Sequence, residues 1–105
     1  MPNRIRGEIE AEIGGRRRTL VLTLGALAEL EAALSEGDLV ALAERFSKGR
    51  MSARDLTCII GAGLRGAGES VTDEEVARMV SPEGAAGYVR IAAELIAATF
   101  GTAQE

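Results

Sequence analysis

The 105-residue chain contains no histidine, no tryptophan and a single cysteine. Without histidine, neither a Ser-His-Asp triad nor a Cys-His pair can be assembled from this chain, and a Cys/His zinc site is excluded for the same reason. Cys58 cannot form an internal disulfide, which is usual in a reducing cytosol. The composition therefore favours a non-enzymatic, cytoplasmic protein that needs no cofactor.

Aromatic residues make up only 3% of the chain, and the formal net charge is −4. The first value leaves no stacking platform for single-stranded bases, and the second argues against a general nucleic-acid binder. No apolar run approaches the roughly 18 residues of a membrane span, and the charged N-terminus does not have the pattern of a secretory signal. With 47% hydrophobic and 27% charged residues, residues 1–105 are expected to form one domain, with no membrane partner and no small-molecule substrate.

Residues 3–24 predict an antiparallel β-hairpin. Apolar and charged residues alternate over 4–13, a two-glycine turn follows at 14–15, and a second apolar segment runs to Leu24. Counting outward from the turn places residue 9 opposite 20, 12 opposite 17 and 5 opposite 24. Arg16 and Arg18 fall on the apolar face, so the turn end is expected to project beyond the core.

Residues 25–101 predict about five helices, and a tail follows at 102–105. Apolar residues recur about every 3.6 positions after Leu24, and Leu24 itself and Val80 are expected to face the core. Pro82 is expected at the first position of the last helix. The other boundary signals are an N-cap at Asp38, capping boxes at Ser52/Asp55 and Thr72/Glu75, and a helix-ending glycine at 101. The predicted fold class is α+β, an N-terminal antiparallel hairpin packed on this bundle.

The segment IIGAGLRGAG contains Gly61, Gly63 and Gly66 in the order G-x-G-x-x-G. This fingerprint binds dinucleotides when it follows a strand and opens a helix. Here the capping box at residue 52 begins a helix well before the glycines, so they are expected late in it, near its negative end. We expect Gly63 to allow close approach of another helix, Gly61 to face outward, and Gly66 or Gly68 to end the helix.

Three further features are candidates for a reactive cysteine, a metal site and a DNA-binding segment. Cys58 is expected away from the apolar face, near Arg54 and Arg65, where cations favour the thiolate. Adjacent acids at 73–75 suit a helix N-terminus better than a metal. The basic segment over 45–54 has the layout of a helix-turn-helix, although a solvated loop is the simpler interpretation.

Partner contacts are expected on the last helix and on an edge of the hairpin. One side of the last helix carries large apolar residues and the other side carries small residues, so the helix can pack against two surfaces. A two-stranded hairpin also leaves two strand edges unpaired. The contacts could serve another protein or a second copy of this chain. The candidate residues are Gly87, Ala93, Ala97, Ala98 and Val21.

The hairpin leading into TLGALAELE resembles small tail proteins encoded by phages and by phage-like gene transfer agents of alphaproteobacteria. The likeness continues through DLVALAERFSKGRMSARDL, IIGAGLRGAG and GYVRIAAELIAATFG, and it covers about residues 3–101. Proteins of this family are labelled both as tail tube proteins and as tail assembly chaperones. Nothing in the motifs is catalytic, so the resemblance transfers no site residue.

The two labels imply different architectures. A tube subunit usually needs an extended sheet that closes a ring of strands, whereas this chain offers one hairpin and a helical remainder. We therefore favour a chaperone, which by resemblance would coat the long helical tape-measure protein until tube subunits replace it. A structural tail component is the alternative, and a small DNA-binding regulator is a further one.

Overall fold

A two-stranded antiparallel hairpin precedes five helices in residues 7–34, 38–48 and 50–101, which are the residues that the computed structural model describes. This arrangement confirms the predicted α+β class. The elements are β1 (Ile9–Ile13), β2 (Arg16–Leu20), α1 (Leu24–Leu34), α2 (Leu39–Ser47), α3 (Ala53–Gly66), α4 (Asp73–Ala77) and α5 (Gly84–Phe100).

The hairpin has the predicted register. Gly14 and Gly15 have φ angles of 65° and 88°, the positive pair that a two-residue type I′ turn requires. Ile9 lies opposite Leu20, and the pairs between them follow the expected count. The ladder is shorter than expected, because the chain leaves β2 after Leu20 and begins a helix at residue 24. The predicted partner of residue 24, at position 5, lies outside the described residues.

The turn end of the hairpin is exposed on one side, as predicted, since Gly14, Gly15 and Arg16 are exposed. Its other side is held against the helices, which the prediction did not include. Ile13 has no exposed surface, and the Gly14 amide donates to the carbonyl of Val80 at 2.9 Å. Arg18 donates through Nε to the Ile13 carbonyl at 2.8 Å and pairs with Glu69 at 2.6 Å. Arg18 is therefore held on the apolar face by the carboxylate of Glu69, which is 51 positions away in the chain. The alternating pattern within the hairpin contains no sign of this partner.

The predicted caps of α2, α3 and α4 are all present. The Asp38 carboxylate accepts the Ala41 amide at 2.7 Å, and the boxes at Ser52 and Thr72 are each closed in both directions. Gly101 ends α5 with a φ of 67°. These caps satisfy backbone groups that have no partner within the helix.

The start of α5 differs from the prediction. Pro82 does not occupy the first helical position, because α5 begins at Gly84 after an N-cap, Glu83, whose side chain makes no cap hydrogen bond. A turn precedes the helix instead. The Gly84 amide donates to the Ser81 carbonyl at 3.1 Å, and the Ser81 hydroxyl donates to the Gly84 carbonyl at 2.8 Å. Proline suits the second position of such a turn.

One hydrophobic cluster joins the inner face of the hairpin to the helices, and α3 packs against α1, β2, α4 and α5. Leu24 and Val80 were expected in this cluster but are 78% and 70% exposed. Leu24 is the first residue of its helix, and Val80 contributes its carbonyl rather than its side chain to the hairpin turn. The largest fully buried side chains are Ile13, Leu20, Leu30, Leu42, Ile59, Ile60, Leu64 and Leu95.

Candidate functional surfaces around the central helix

The G-x-G-x-x-G segment lies within the second half of α3, as predicted. The helix begins at its Ser52 cap, so the three glycines are close to its C-terminal end. Phosphate recognition needs the opposite end, where backbone amides are free and the helix dipole is positive. The local geometry therefore does not have the form of the nucleotide fingerprint.

Two of these glycines allow main-chain and side-chain packing at close range. A Cβ on Gly63 would stand 2.7 Å from Leu95 Cδ2 and 3.2 Å from Leu20 Cβ, and one on Gly66 would collide with the Val21 carbonyl, well inside 3.0 Å. The Val21 amide also donates to the Gly63 carbonyl at 3.0 Å. The chain leaving β2 thus crosses α3 in direct backbone contact. The helix expected to approach Gly63 is α5, which does so through the Leu95 side chain.

Gly68, rather than Gly66, provides the left-handed residue after α3. Its φ is 102°, its amide donates to the Arg65 carbonyl at 3.0 Å, and the Glu69 amide donates to the Leu64 carbonyl at 3.0 Å. These two bonds form the Schellman arrangement that satisfies the last carbonyls of a helix.

Gly61 does not face outward, and that prediction is wrong. It is buried, and a Cβ there would collide with the Asp73 carboxylate and press on Arg65. The Arg65 guanidinium donates to Asp73 at 3.0 Å, to the Val71 carbonyl at 2.9 Å and to Glu29 at 2.9 Å. Burial alone would lower the pKa of Arg65, but these carboxylate bonds raise it overall. The cluster joins α1, α3 and α4.

The acids at the start of α4 have structural partners. Asp73 bonds to Arg65, and Glu75 accepts the Thr72 amide in the capping box. Across the part of the chain that the structure describes, no group of three or more carboxylate, cysteine or histidine side chains is placed to hold a metal ion. The capping bond of Glu75 and the position of all three acids in the first turn of α4 agree with the helix-start interpretation.

Cys58 lies in an environment opposite to the predicted one. It is only 8% exposed. Burial of the thiol raises its pKa, and the negative charge of Asp73 and a hydrogen bond with Asp73 raise it further. The positive charge of Arg54 lowers the pKa, but by less than the other effects raise it. The expectation that cations favour the thiolate is wrong, because α4 brings a carboxylate to this side of α3.

Two cations of the basic segment contribute to helix packing. Arg45 pairs with the buried Asp55 at 2.8 Å, and Arg54 donates to the Ala33 carbonyl at 2.9 Å. Lys48 is exposed. Arg45 and Arg54 thus have an intramolecular role, whereas Arg50 is exposed like Lys48. The two intramolecular arginines give the DNA-binding hypothesis no support.

The predicted partner contacts fall in different environments. Gly87 is buried, since a Cβ there would stand 2.6 Å from Ser81 Oγ, so it serves internal packing. Val21 is half-buried, with its backbone against α3. Ala93 is exposed, and Ala97 and Ala98 are partly exposed. The outer face of α5 around Ala93 and Ala97 is the part of this prediction that stays accessible.

An apolar groove of about 290 Å³ lies between α3, α4 and α5, and no sequence pattern predicts it. We call it the Tyr88 groove. The hydroxyl of Tyr88 is buried there and has no hydrogen-bond partner among the described residues, and burial raises the pKa of this phenol. The groove opens because three helices each place an alanine at its edge. Its lining residues are Ala53, Leu56, Thr57, Ile60, Val76, Ala77, Ala85 and Tyr88.

A comparison with known families identifies the class of protein. Residues 6–102 match the model of a family of phage tail proteins. The chain belongs to this family, which is described as phage tail tube protein, GTA-gp10. The family is structural and non-enzymatic, and membership gives the chain a structural or morphogenetic role in a phage-like tail.

No curated protein and no solved structure matches the chain significantly. Among the described residues, no helix is both long enough and apolar enough to cross a membrane. The family match over residues 6–102 confirms the resemblance to tail proteins of phages and gene transfer agents at the level of the family.

Proposed function

We propose that the protein is a tail assembly chaperone that binds the tape-measure protein of a gene transfer agent or prophage in the cytoplasm. Family membership supports a role in the tail. The observation that favours a chaperone over a wall subunit is the small sheet, since the described residues form only the pair β1–β2. The remainder of the described fold is helical, which suits a protein that covers another chain temporarily.

A chaperone of this kind needs a modest apolar surface that a partner covers and later releases. The outer face of α5 offers one, because Ala93 is exposed, Ala97 is partly exposed and Val89 is 40% exposed. We propose this face as a contact surface, with Ala98 of the same helix and Val21, at the exit of the hairpin beside α3, as secondary candidates. Gly87 contributes by holding the start of α5 against the preceding turn.

A structural tail component is the second candidate, and the description of the family favours it directly. In that role copies of the chain would associate in rings. The hairpin gives a physical route, because its two strands pair only with each other in the described residues, and unpaired edges can recruit further strands.

Co-expression with the tape-measure protein of the same tail gene cluster tests the proposal. A tagged chain should retain the tape-measure protein through purification, and the tape-measure protein expressed alone should be less soluble. A chain that binds no tape-measure protein but assembles into rings in isolation would support the structural role and contradict the chaperone.

A further inference from the structure

A second groove, of about 350 Å³, lies between β1 and α5. Ala11, on the inner face of the hairpin, lines it together with Glu10 and Glu12, on the outer face. A groove that touches both faces of a strand runs along the edge of that strand, and we call it the β1 edge groove. The opposite wall belongs to one side of α5 and consists of Gly87, Arg90, Ile91 and Glu94.

The backbone of β1 has free hydrogen-bonding groups along this edge. In an antiparallel pair, residues that bond to the partner strand alternate with residues whose N–H and C=O point away from it. A two-residue turn makes the closing pair, Ile13 and Arg16, a bonded one. The backbone groups of Glu10 and Glu12 therefore point outward, and no bond from another described segment reaches them.

The position beside the turn already accepts a backbone partner from outside the hairpin. Gly14 follows Glu10 and Glu12 in the same alternation, and its amide donates to the Val80 carbonyl at 2.9 Å. Residues 81–83 then line this end of the groove. The chain thus uses the first position of the edge itself and leaves the next two open.

The side chains of the groove leave an excess of negative charge. Its lining contains four glutamates and two arginines, and each arginine pairs with one of the glutamates, Glu10 or Glu83. The other two, Glu12 and Glu94, are exposed and have no ion pair among the described residues. The groove is therefore complementary to a segment that carries lysine or arginine.

We propose that the β1 edge groove binds an extended, basic segment of another tail protein, which adds to the hairpin as a third strand. Paired antiparallel, as β2 is, a residue opposite Glu12 exchanges backbone bonds with it and places a basic side chain on the same face. The next residue of the segment lies over Ala11 and Ile91, which are both buried. This inference goes beyond the chaperone proposal, because it defines the chemistry of the bound segment whichever tail protein supplies it.

Hydrogen exchange of the isotope-labelled chain, followed by NMR, tests the inference with a short blocked peptide of alternating lysine and valine. In the free chain the amides of Glu10 and Glu12 should exchange fast, and that of Ala11 slowly, because only the last is bonded to β2. Saturating peptide should slow exchange at Glu10 and Glu12 by at least about tenfold. The same peptide with glutamate in place of lysine should bind at least about tenfold more weakly.

Backbone methylation of the peptide separates strand addition from simple charge attraction. Methyl groups on the lysine amides, which would face β1, should weaken binding by at least about tenfold, because each removes a hydrogen bond. Methyl groups on the valine amides, which would face away, are the matched control and should leave binding unchanged.

Charge variants of the chain test the complementarity of the groove. Glu12→Gln and Glu94→Gln should each weaken binding of the lysine peptide by about threefold, the size of an exposed ion pair. The matched control is Glu31→Gln, which removes the same charge from α1 outside the groove. That variant should bind as the wild type does.

The outcomes distinguish this inference from the proposed function. Equal weakening by both sets of methyl groups, or unchanged exchange at millimolar peptide, would overturn the inference. Exchange at residues 10 and 12 that slows with the concentration of the free chain would show that a second copy covers the edge, and would also overturn it. A chain that binds the peptide but not the tape-measure protein would support this inference and contradict the chaperone.

Discussion

The helices α3 and α5 show that burial in this fold does not follow apolar content. The helix α3 carries three glycines, two arginines and an aspartate, yet 8 of its 14 residues are buried. The helix α5 has only Arg90 and Glu94 as charged residues, yet 5 of its 17 are buried. The difference arises because α3 has neighbours on all sides, whereas α5 packs against α2, α3 and β1 and leaves one face open.

The comparison shows what the small residues do in each helix. In α3 the glycines admit other parts of the chain at close range, and an added methyl group would meet a backbone carbonyl at Gly66 and side-chain atoms at Gly61 and Gly63. In α5 the alanines of the outer face meet solvent. Small residues are therefore structural in one helix and available for contacts in the other, and substitutions should separate the two roles.

The largest effect is expected for Gly66→Ala. The added methyl would collide with the Val21 carbonyl, a backbone atom held by the adjacent bond to Gly63. We expect the free energy of unfolding to fall by about 3 kcal/mol, at the upper end for overpacking, as measured by urea unfolding. The matched control is Gly25→Ala at the exposed start of α1, where the nearest atom is 3.8 Å away. That variant should be neutral or slightly stabilising. Equal effects in the two variants would contradict the close crossing of β2 and α3.

A smaller decrease in the free energy of unfolding is expected for Asp55→Ala. Asp55 is buried, accepts the Ser52 amide at 2.8 Å and pairs with Arg45 at 2.8 Å. Removing it opens the capping box and leaves the arginine without this partner, so we expect a loss of about 2 kcal/mol. Asp38→Ala removes an exposed cap from α2 and should lose about 1 kcal/mol or less. Thermal unfolding of both variants checks the order, and the reverse order would show that α3 does not depend on its cap.

The caps that these two variants remove were predictable from the sequence, whereas contacts between distant segments were not. The capping boxes, the helix end at Gly101 and the hairpin register depend on patterns within a few residues, and the structure confirms all three. The partners of Arg18, Cys58 and Gly61 come from segments distant in the chain, so no pattern around those residues reveals them. The Tyr88 groove is harder still to predict, because its opening depends on alanines from three helices meeting at one place.

Cys58 should react slowly with thiol reagents in the folded protein. Its burial and the nearby Asp73 raise the pKa of the thiol, so at pH 8 a smaller fraction is thiolate than in the unfolded chain, and reaction needs the thiolate. We expect at least about a tenfold slower reaction with a disulfide reagent than in denaturant, and a rate that rises with pH above 8. A native rate equal to that of free cysteine would restore the cation-activated thiol that the sequence suggested.

The smallest effect is expected on the outer face of α5. Ala93→Lys places a charge on an exposed position, where substitutions usually change stability by no more than about 0.5 kcal/mol. Urea unfolding should give the wild-type midpoint. A large decrease in the free energy of unfolding would mean that this face of α5 is already covered, for example by a second copy of the chain. In that case α5, like α3, would have neighbours on all sides.

The role in assembly is tested most directly by counting copies of the chain in finished particles. Purified, mature tails can be digested and quantified by mass spectrometry against isotope-labelled peptides of this chain and of the tape-measure protein. The chaperone account predicts that the chain is bound to the tape-measure protein in assembly intermediates and is absent from finished particles. Its presence in finished particles at the stoichiometry of a tube subunit would contradict the chaperone and establish the chain as a structural component of the tail.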